Sequence, residues 1–172
     1  WVGNNPIPER FERYWATWAD KHSNWEGVGD RQFLAQQQEW QFRTWRDADI
    51  ESFGPEIVRL CGECRNPAEM SDVLRFVILE QHGGVYVDTD FECLKNIEPL
   101  LGGHEFVAAW ESDKIIASAS IACVPNHPVM KKMGDRLRAM SIDTTTSQMK
   151  TAGPVALTEL VKGQNVTILP SK

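Results

Sequence analysis

Near the start of the chain, Phe11, Tyr14, Trp15 and Trp18 recur at helical spacing after Pro6 and Pro8. This pattern predicts an amphipathic helix whose aromatic stripe packs as core. Residues 19–39 are polar and punctuated by Gly27 and Gly29, which predicts a loop or short helix. The alternation over 39–45 (EWQFRTW) then predicts a strand. Asn66-Pro67, with Glu69 three residues after the asparagine, has the form of a capping box, and Gly83-Gly84 supplies a stop. A helix over 67–82 follows, with Met70, Val73, Leu74, Val77 and Ile78 on its buried side. Immediately after it, Val85-Tyr86-Val87 reads as a short buried strand that ends in Asp88-Thr89-Asp90. Further strands are predicted over 105–110, 115–124 and 166–169. A helix is predicted over 128–140, another begins at Gly153-Pro154, and 143–148 reads as an extended polar loop. Strands alternating with helices indicate an α/β domain.

Charge and cysteine usage narrow the function classes. Lys+Arg 18 against Asp+Glu 24 leaves a net charge of −6 with no basic block, so no nucleic-acid partner is expected. Apolar runs such as 76–79 and 115–117 fall far below the ~20 residues of a membrane span. Cys61, Cys64, Cys93 and Cys123 are too few to staple 172 residues, and no charged-then-apolar leader precedes them, so reduced thiols in the cytoplasm are expected. The lone pair Cys61-Gly62-Glu63-Cys64 has no second C-x-x-C and no histidine at zinc-finger spacing, which disfavours a redox or zinc role. His22, His82, His104 and His127 form no H-E-x-x-H and read as structural. Gly27-Val28-Gly29 is followed by Gln32 where a dinucleotide fingerprint needs glycine. Lys131, Lys132, Arg136 and Arg138 read as the solvated face of their helix.

The chemistry gathers at the acids that follow Val87. In a strand, Asp88 and Asp90 share a face and project together from its carboxyl end, where open α/β sheets bind ligands. Two ionised carboxylates about 5 Å apart repel by about 3 kcal/mol at an effective dielectric of about 20 but under about 1 kcal/mol in water, so a partly dry site calls for a cation. Oxygen ligands of this kind suit Mg²⁺ or Mn²⁺ together with substrate phosphates. A lone D-x-D is weakly specific, and the preceding helix strengthens it. Asp72 and Arg75 stand at i and i+3 on that helix. They are either a surface ion pair worth under about 1 kcal/mol or a functional pair. In the functional case the carboxylate accepts from sugar hydroxyls and the guanidinium holds a phosphate.

The order Ser71-Asp72-x-x-Arg75, Gly83-Gly84, Tyr86-x-Asp88-x-Asp90 resembles the DxD-containing glycosyltransferases, and the dense part of the match runs from Ala68 to Leu101. That group includes yeast initiating mannosyltransferases, bacterial polysaccharide transferases and the clostridial glucosylating toxins. The likeness extends more loosely to Trp1-Val2-Gly3, Ile7-Pro8-Glu9, Trp45-x-Asp47-x-Asp49, Asn126-His127-Pro128 and Gly153-Pro154. It implies a GT-A type α/β fold with a mixed central sheet flanked by helices. It also implies a nucleotide-sugar donor, Mn²⁺ or Mg²⁺, transfer with retention, and a part in polysaccharide biosynthesis. The acceptor would be a saccharide, a lipid-linked group or a protein.

By the same resemblance Asp90 binds the metal directly, and Asp88 contacts the donor and the metal shell. Asp72 and Arg75 grip the transferred sugar, Tyr86 lines the donor site and Trp1 stacks on the base. Ser118 stands where many members have asparagine, and the family's donor-closing segment falls after Lys172. With Trp1 in place of an initiator Met, residues 1–172 are expected to be one glycosyltransferase domain truncated at both ends. No nucleophile or general base is identifiable. The rival readings are a non-catalytic carbohydrate- or nucleotide-binding module and a glycoside hydrolase, whose paired carboxylates look alike in sequence.

Overall fold

The capping signal at Asn66 sets the longest helix, α3 (Pro67–His82), in a computed structural model that describes residues 6–22, 40–140 and 152–171. Asn66 Oδ1 accepts the Glu69 N–H at 2.9 Å. The Glu69 carboxylate reaches back to the Arg65 N–H at 2.7 Å and to the Arg65 guanidinium at 2.8 Å, one residue further than a capping box. Hydrogen bonding from Arg65 holds the Glu69 carboxyl below the usual carboxylate range. Val73, Leu74, Phe76, Val77, Ile78 and Leu79 are all buried, so α3 is covered nearly all round. Gly83 ends it at φ 62°, where an added Cβ would run into the Pro125 nitrogen and the Cys123 carbonyl oxygen.

The chain then enters a mixed sheet of order β1-β3-β2-β4, made of β1 (Gly84–Val87), β2 (Phe106–Ser112), β3 (Ile115–Cys123) and β4 (Thr167–Leu169). β3 runs antiparallel to both neighbours, and β2 pairs parallel with β4. β1 is therefore an edge strand of the described sheet, and its residues 85–87 are half-buried rather than buried. Between β3 and β4 come α5 (Pro128–Ala139) and α6 (Pro154–Leu160). Phe76, Phe106, Ile116, Ile121, Met130, Met133, Leu137 and Leu157 fill the space between α3, α5, α6 and the sheet. The α/β class and the mixed sheet expected from the sequence are both present.

α3 and α5 meet where Gly134 faces the Glu80 carboxylate. Glu80 is 7% exposed and accepts two hydrogen bonds from Arg138, at 3.1 and 2.5 Å. Arg138 thus leaves the solvated face assigned to it from sequence, because a buried carboxylate on another helix needs its charge.

Two further expectations change. α1 (Glu9–Lys21) forms where its periodicity placed it, yet none of its residues is buried, so the aromatic stripe is not core. α1 docks by polar anchors instead. Trp18 Nε1 donates to the Phe91 carbonyl at 2.8 Å, and Thr17 Oγ1 accepts the Cys93 N–H at 2.8 Å. His22 bridges the Trp18 carbonyl, at 2.9 Å, and the Ile97 N–H, at 3.1 Å. Residues 40–46 form no strand and lead into a 3-10 helix (Asp47–Phe53) and α2 (Pro55–Glu63). Their alternation does not map onto a buried face, since Phe42 is exposed while Trp40, Gln41, Thr44 and Trp45 are half-buried; Trp45 packs on Phe53 at 5.5 Å and on His82 at 5.0 Å, with the Arg43 guanidinium 3.7 Å above its ring. Alternation by itself names no ladder partner. The one-turn helix α4 (Glu98–Leu101) had no sequence signal assigned to it. Of the loop or short helix expected over 19–39, residues 19–21 continue α1 and 23–39 lie outside the described residues, as does the loop expected over 143–148.

His127 caps α5, its Nδ1 accepting the Val129 N–H at 3.3 Å. Burial pushes its pKa below the ordinary histidine value, so the folded state binds the proton less readily than the unfolded chain. The linked stability is present above an unfolded pKa of about 6.5 and is lost as the pH falls below it. The melting temperature is expected to drop between about pH 7 and about pH 5. His127→Asn, which caps without titrating, should flatten part of that drop. His82, also lowered by burial, supplies a remainder of the same sign.

Candidate active site

Arg75 reaches inward from α3 and joins three elements. Its Nη2 pairs with Asp72 Oδ1 at 2.5 Å, and its Nη1 donates to the Ser118 carbonyl of β3 at 2.7 Å and lies 3.3 Å from Asp88 Oδ1. Nε is 3.4 Å from the Ser71 carbonyl, and the guanidinium sits 4.7 Å over the Tyr86 ring. Side-chain exposure rises outward, from 5% at Arg75 to 16% at Asp72 and 32% at Asp88. The surface ion-pair reading of Asp72 and Arg75 is therefore overturned. A cation buried between two carboxylates is instead a cluster in which each charge offsets the others' desolvation. Most of the guanidinium's donors are spent on protein acceptors, so it holds the site together more than it reaches for a phosphate. Ser118 serves through its backbone carbonyl, which no single sequence can mark; the position drew notice only as a departure from asparagine.

The D-x-D acids are presented by a turn. β1 stops at Val87; the Asp88 N–H still donates to the Ala119 carbonyl at 2.9 Å, and the Asp88 carbonyl accepts the Phe91 N–H at 3.1 Å. The shared strand face assumed for Asp88 and Asp90 is thus corrected: the chain leaves the ladder at Asp88, so the strand pleat no longer sets their spacing. Asp90 is exposed at the tip. Tyr86 Oη donates to Asp88 Oδ1 at 2.7 Å, and burial pushes the phenol well above its ordinary pKa, so it remains a donor at neutral pH. Helix α1 supports this turn from outside through its bonds to Phe91 and Cys93.

Two carboxylates are hard oxygen donors, and no third His, Cys, Asp or Glu clusters with them among the described residues. This donor set fits Mg²⁺ or Mn²⁺, which take one or two carboxylates and complete the shell with substrate phosphates and water. The structure thus brings Asp72, Arg75, Tyr86 and Asp88 together with Asp90 beside them, while Trp1 lies outside the described residues. The Cys61 and Cys64 thiols are unpaired, and burial pushes them up to about 11 and about 12, which leaves them poor nucleophiles and poor ligands. His104 bonds Thr167 at 2.9 Å, and His22, His82 and His127 sit in the packing and capping contacts above.

This sheet with its flanking helices is a GT-A type glycosyltransferase fold: the solved structure titled PaToxG Glycosyltransferase matches it with a TM-score of 0.66, covering 94% of this chain and 65% of that chain at 18% identity. The family described as "Glycosyltransferase sugar-binding region containing DXD motif" matches residues 8–107, more than half of the chain, and the chain belongs to that family. Among curated relatives, an uncharacterized glycosyltransferase of Acanthamoeba polyphaga mimivirus is 28% identical over 75% of this chain and 49% of its own length. A mannosyl phosphorylinositol ceramide synthase of Saccharomyces cerevisiae is 25% identical over 75% of this chain and 31% of its own. Inositol phosphoceramide mannosyltransferase 1 of Schizosaccharomyces pombe is 28% identical over 76% and 38%. The chain thus spans half or less of these relatives. No helix among the described residues is long and apolar enough to cross a membrane.

Proposed function

We propose that residues 1–172 form one donor-binding domain of a metal-dependent, retaining glycosyltransferase that moves a sugar from a nucleotide-sugar donor to an acceptor. The observation that carries this reading is the cluster of buried Arg75 with half-buried Asp72 and Asp88, two residues before the exposed Asp90, inside the family match. Asp88 and Asp90 would hold Mn²⁺ or Mg²⁺, which supplies positive charge against the charge that develops on the departing diphosphate. Asp72, at the half-open edge of the cluster, accepts from a sugar hydroxyl, and Arg75 fixes its orientation. Tyr86 closes one wall of the donor site, and Trp1 stacks on the base. Relatives named for inositol phosphoceramide favour a lipid-linked acceptor over a saccharide or protein, and a role outside bulk polysaccharide synthesis. Four unpaired thiols favour a reducing, cytoplasmic setting.

Mn²⁺ added with GDP or UDP is expected to raise the melting temperature, since a ligand at a hundredfold excess over its Kd stabilises by about 2.7 kcal/mol. Asp90→Asn should remove most of that gain, and an undiminished response in the variant would take the metal away from Asp90. Donor binding without sugar transfer to any acceptor would return the non-catalytic module.

A further inference from the structure

The family assignment gives Tyr86 a wall of the donor site, but its hydroxyl is spent on Asp88. We propose that Tyr86 is a positioning residue that selects the cation: with Arg75 it occupies Asp88 Oδ1, so that Asp88 offers a single oxygen, Oδ2, to the metal and donor. This rests on the metal-dependent reading above.

A carboxylate with both oxygens available can turn about its last torsion and chelate through both. Asp88 is denied that freedom from two sides. Its Oδ1 accepts from Tyr86 Oη at 2.7 Å and faces Arg75 Nη1 at 3.3 Å. Neither donor can easily withdraw. Arg75 is tied to Asp72 and the Ser118 carbonyl, while Tyr86 is fixed by its β1 pairing opposite Ile121 and by the guanidinium over its ring. The backbone of Asp88 is held as well, through Ala119 and Phe91. A single-oxygen carboxylate suits the small octahedral ions Mg²⁺ and Mn²⁺, whereas Ca²⁺ takes six to eight oxygens and readily accepts chelating carboxylates. Blocking Oδ1 therefore discriminates against the larger ion. Tyr86→Phe keeps the ring beneath Arg75 and removes one of the two groups that hold Oδ1, leaving Arg75 Nη1 as the other.

The test titrates the parent, Tyr86→Phe, Asp88→Asn and the double variant with Mn²⁺, read from the free-ion paramagnetic resonance signal, and with Ca²⁺ as competitor. Tyr86→Phe is expected to bind Mn²⁺ about tenfold more weakly, the low end for loss of a hydrogen bond to a metal-ligating group. Its Ca²⁺ affinity should move by less than about twofold, so the preference for Mn²⁺ narrows. In the Asp88→Asn background the tyrosine change should add almost nothing, because Tyr86 acts through Asp88. An unchanged Mn²⁺ to Ca²⁺ preference in Tyr86→Phe, or effects that multiply in the double variant, would overturn the positioning role alone. So would a Tyr86→Phe chain that fails to fold, since the hydroxyl would then be structural. A parent that binds no Mn²⁺ would instead overturn the metal-dependent reading and this inference with it.

Discussion

Arg75→Leu is expected to destabilise the chain by about 3–5 kcal/mol and to abolish donor binding, the largest effect of any single substitution considered. The guanidinium is almost wholly buried, and its loss would strand the Asp72 and Asp88 carboxylates and the Ser118 carbonyl without their donor. Uncompensated buried charge is the costly case, whereas an exposed pair would lose under about 1 kcal/mol. A domain of ordinary stability holds only about 5–15 kcal/mol, so the variant should lose between about a fifth of that and all of it. Arg75→Lys separates folding from function. It keeps a charge near the carboxylates, yet one ammonium cannot span Asp72, Ser118 and Asp88 as the planar fork does. Most of the stability should return while nucleotide-sugar affinity stays at least about tenfold down. Urea unfolding and donor titration measure the two quantities. A loss below about 1 kcal/mol in Arg75→Leu would show that the cluster is solvated.

Gly83→Ala should cost about 3 kcal/mol or more, from backbone strain and overlap together. Gly83 holds φ 62° and ψ −151°, a conformation open essentially to glycine, and an added Cβ would strike the backbone of Pro125 and Cys123, which cannot give way. Gly84 provides the internal comparison. It also has positive φ, at 89°, but no atom lies within 4 Å of where its Cβ would stand. Gly84→Ala should therefore cost only the strain, about 1–2 kcal/mol. Because β1 begins here, Gly83→Ala should also displace Asp88 and weaken the Mn²⁺ response, while Gly84→Ala leaves more of it. Thermal melts with and without Mn²⁺ and GDP check both. Equal losses at the two glycines would remove the close approach to Pro125 as the cause.

Much of this architecture was legible before any coordinates because its determinants are local. Asn66, Pro67 and Glu69 start α3, and Gly83 ends it, within one stretch of chain. Pro128 and Pro154 likewise fall at the first turns of α5 and α6, and Val85-Tyr86-Val87 lies in β1 with the acids following directly. Such signals act through backbone geometry and hydrogen bonds a few residues apart, so the sequence carries them whole. The D-x-D spacing and the Asp72-x-x-Arg75 step belong to this set and, with Gly83-Gly84 and Tyr86 between them, carry the resemblance to the family that matches residues 8–107.

What the tertiary structure alone decided is where those side chains turn and what meets them. Asp72 and Arg75 read equally well as a solvated pair until Ser118, 43 residues away, is seen to take the guanidinium. Arg138 belongs to a polar helix face in sequence and to buried Glu80, 58 residues away, in the fold. The alternation over 39–45 names no ladder partner, and in the fold Phe42 is exposed while Trp45 packs on Phe53; the α1 aromatic stripe meets a loop where a core was expected. Periodicity reports which face of an element is apolar; the identity of the surface across from it depends on contacts between distant residues, and a buried charge finds its partner only when packing has excluded water from both.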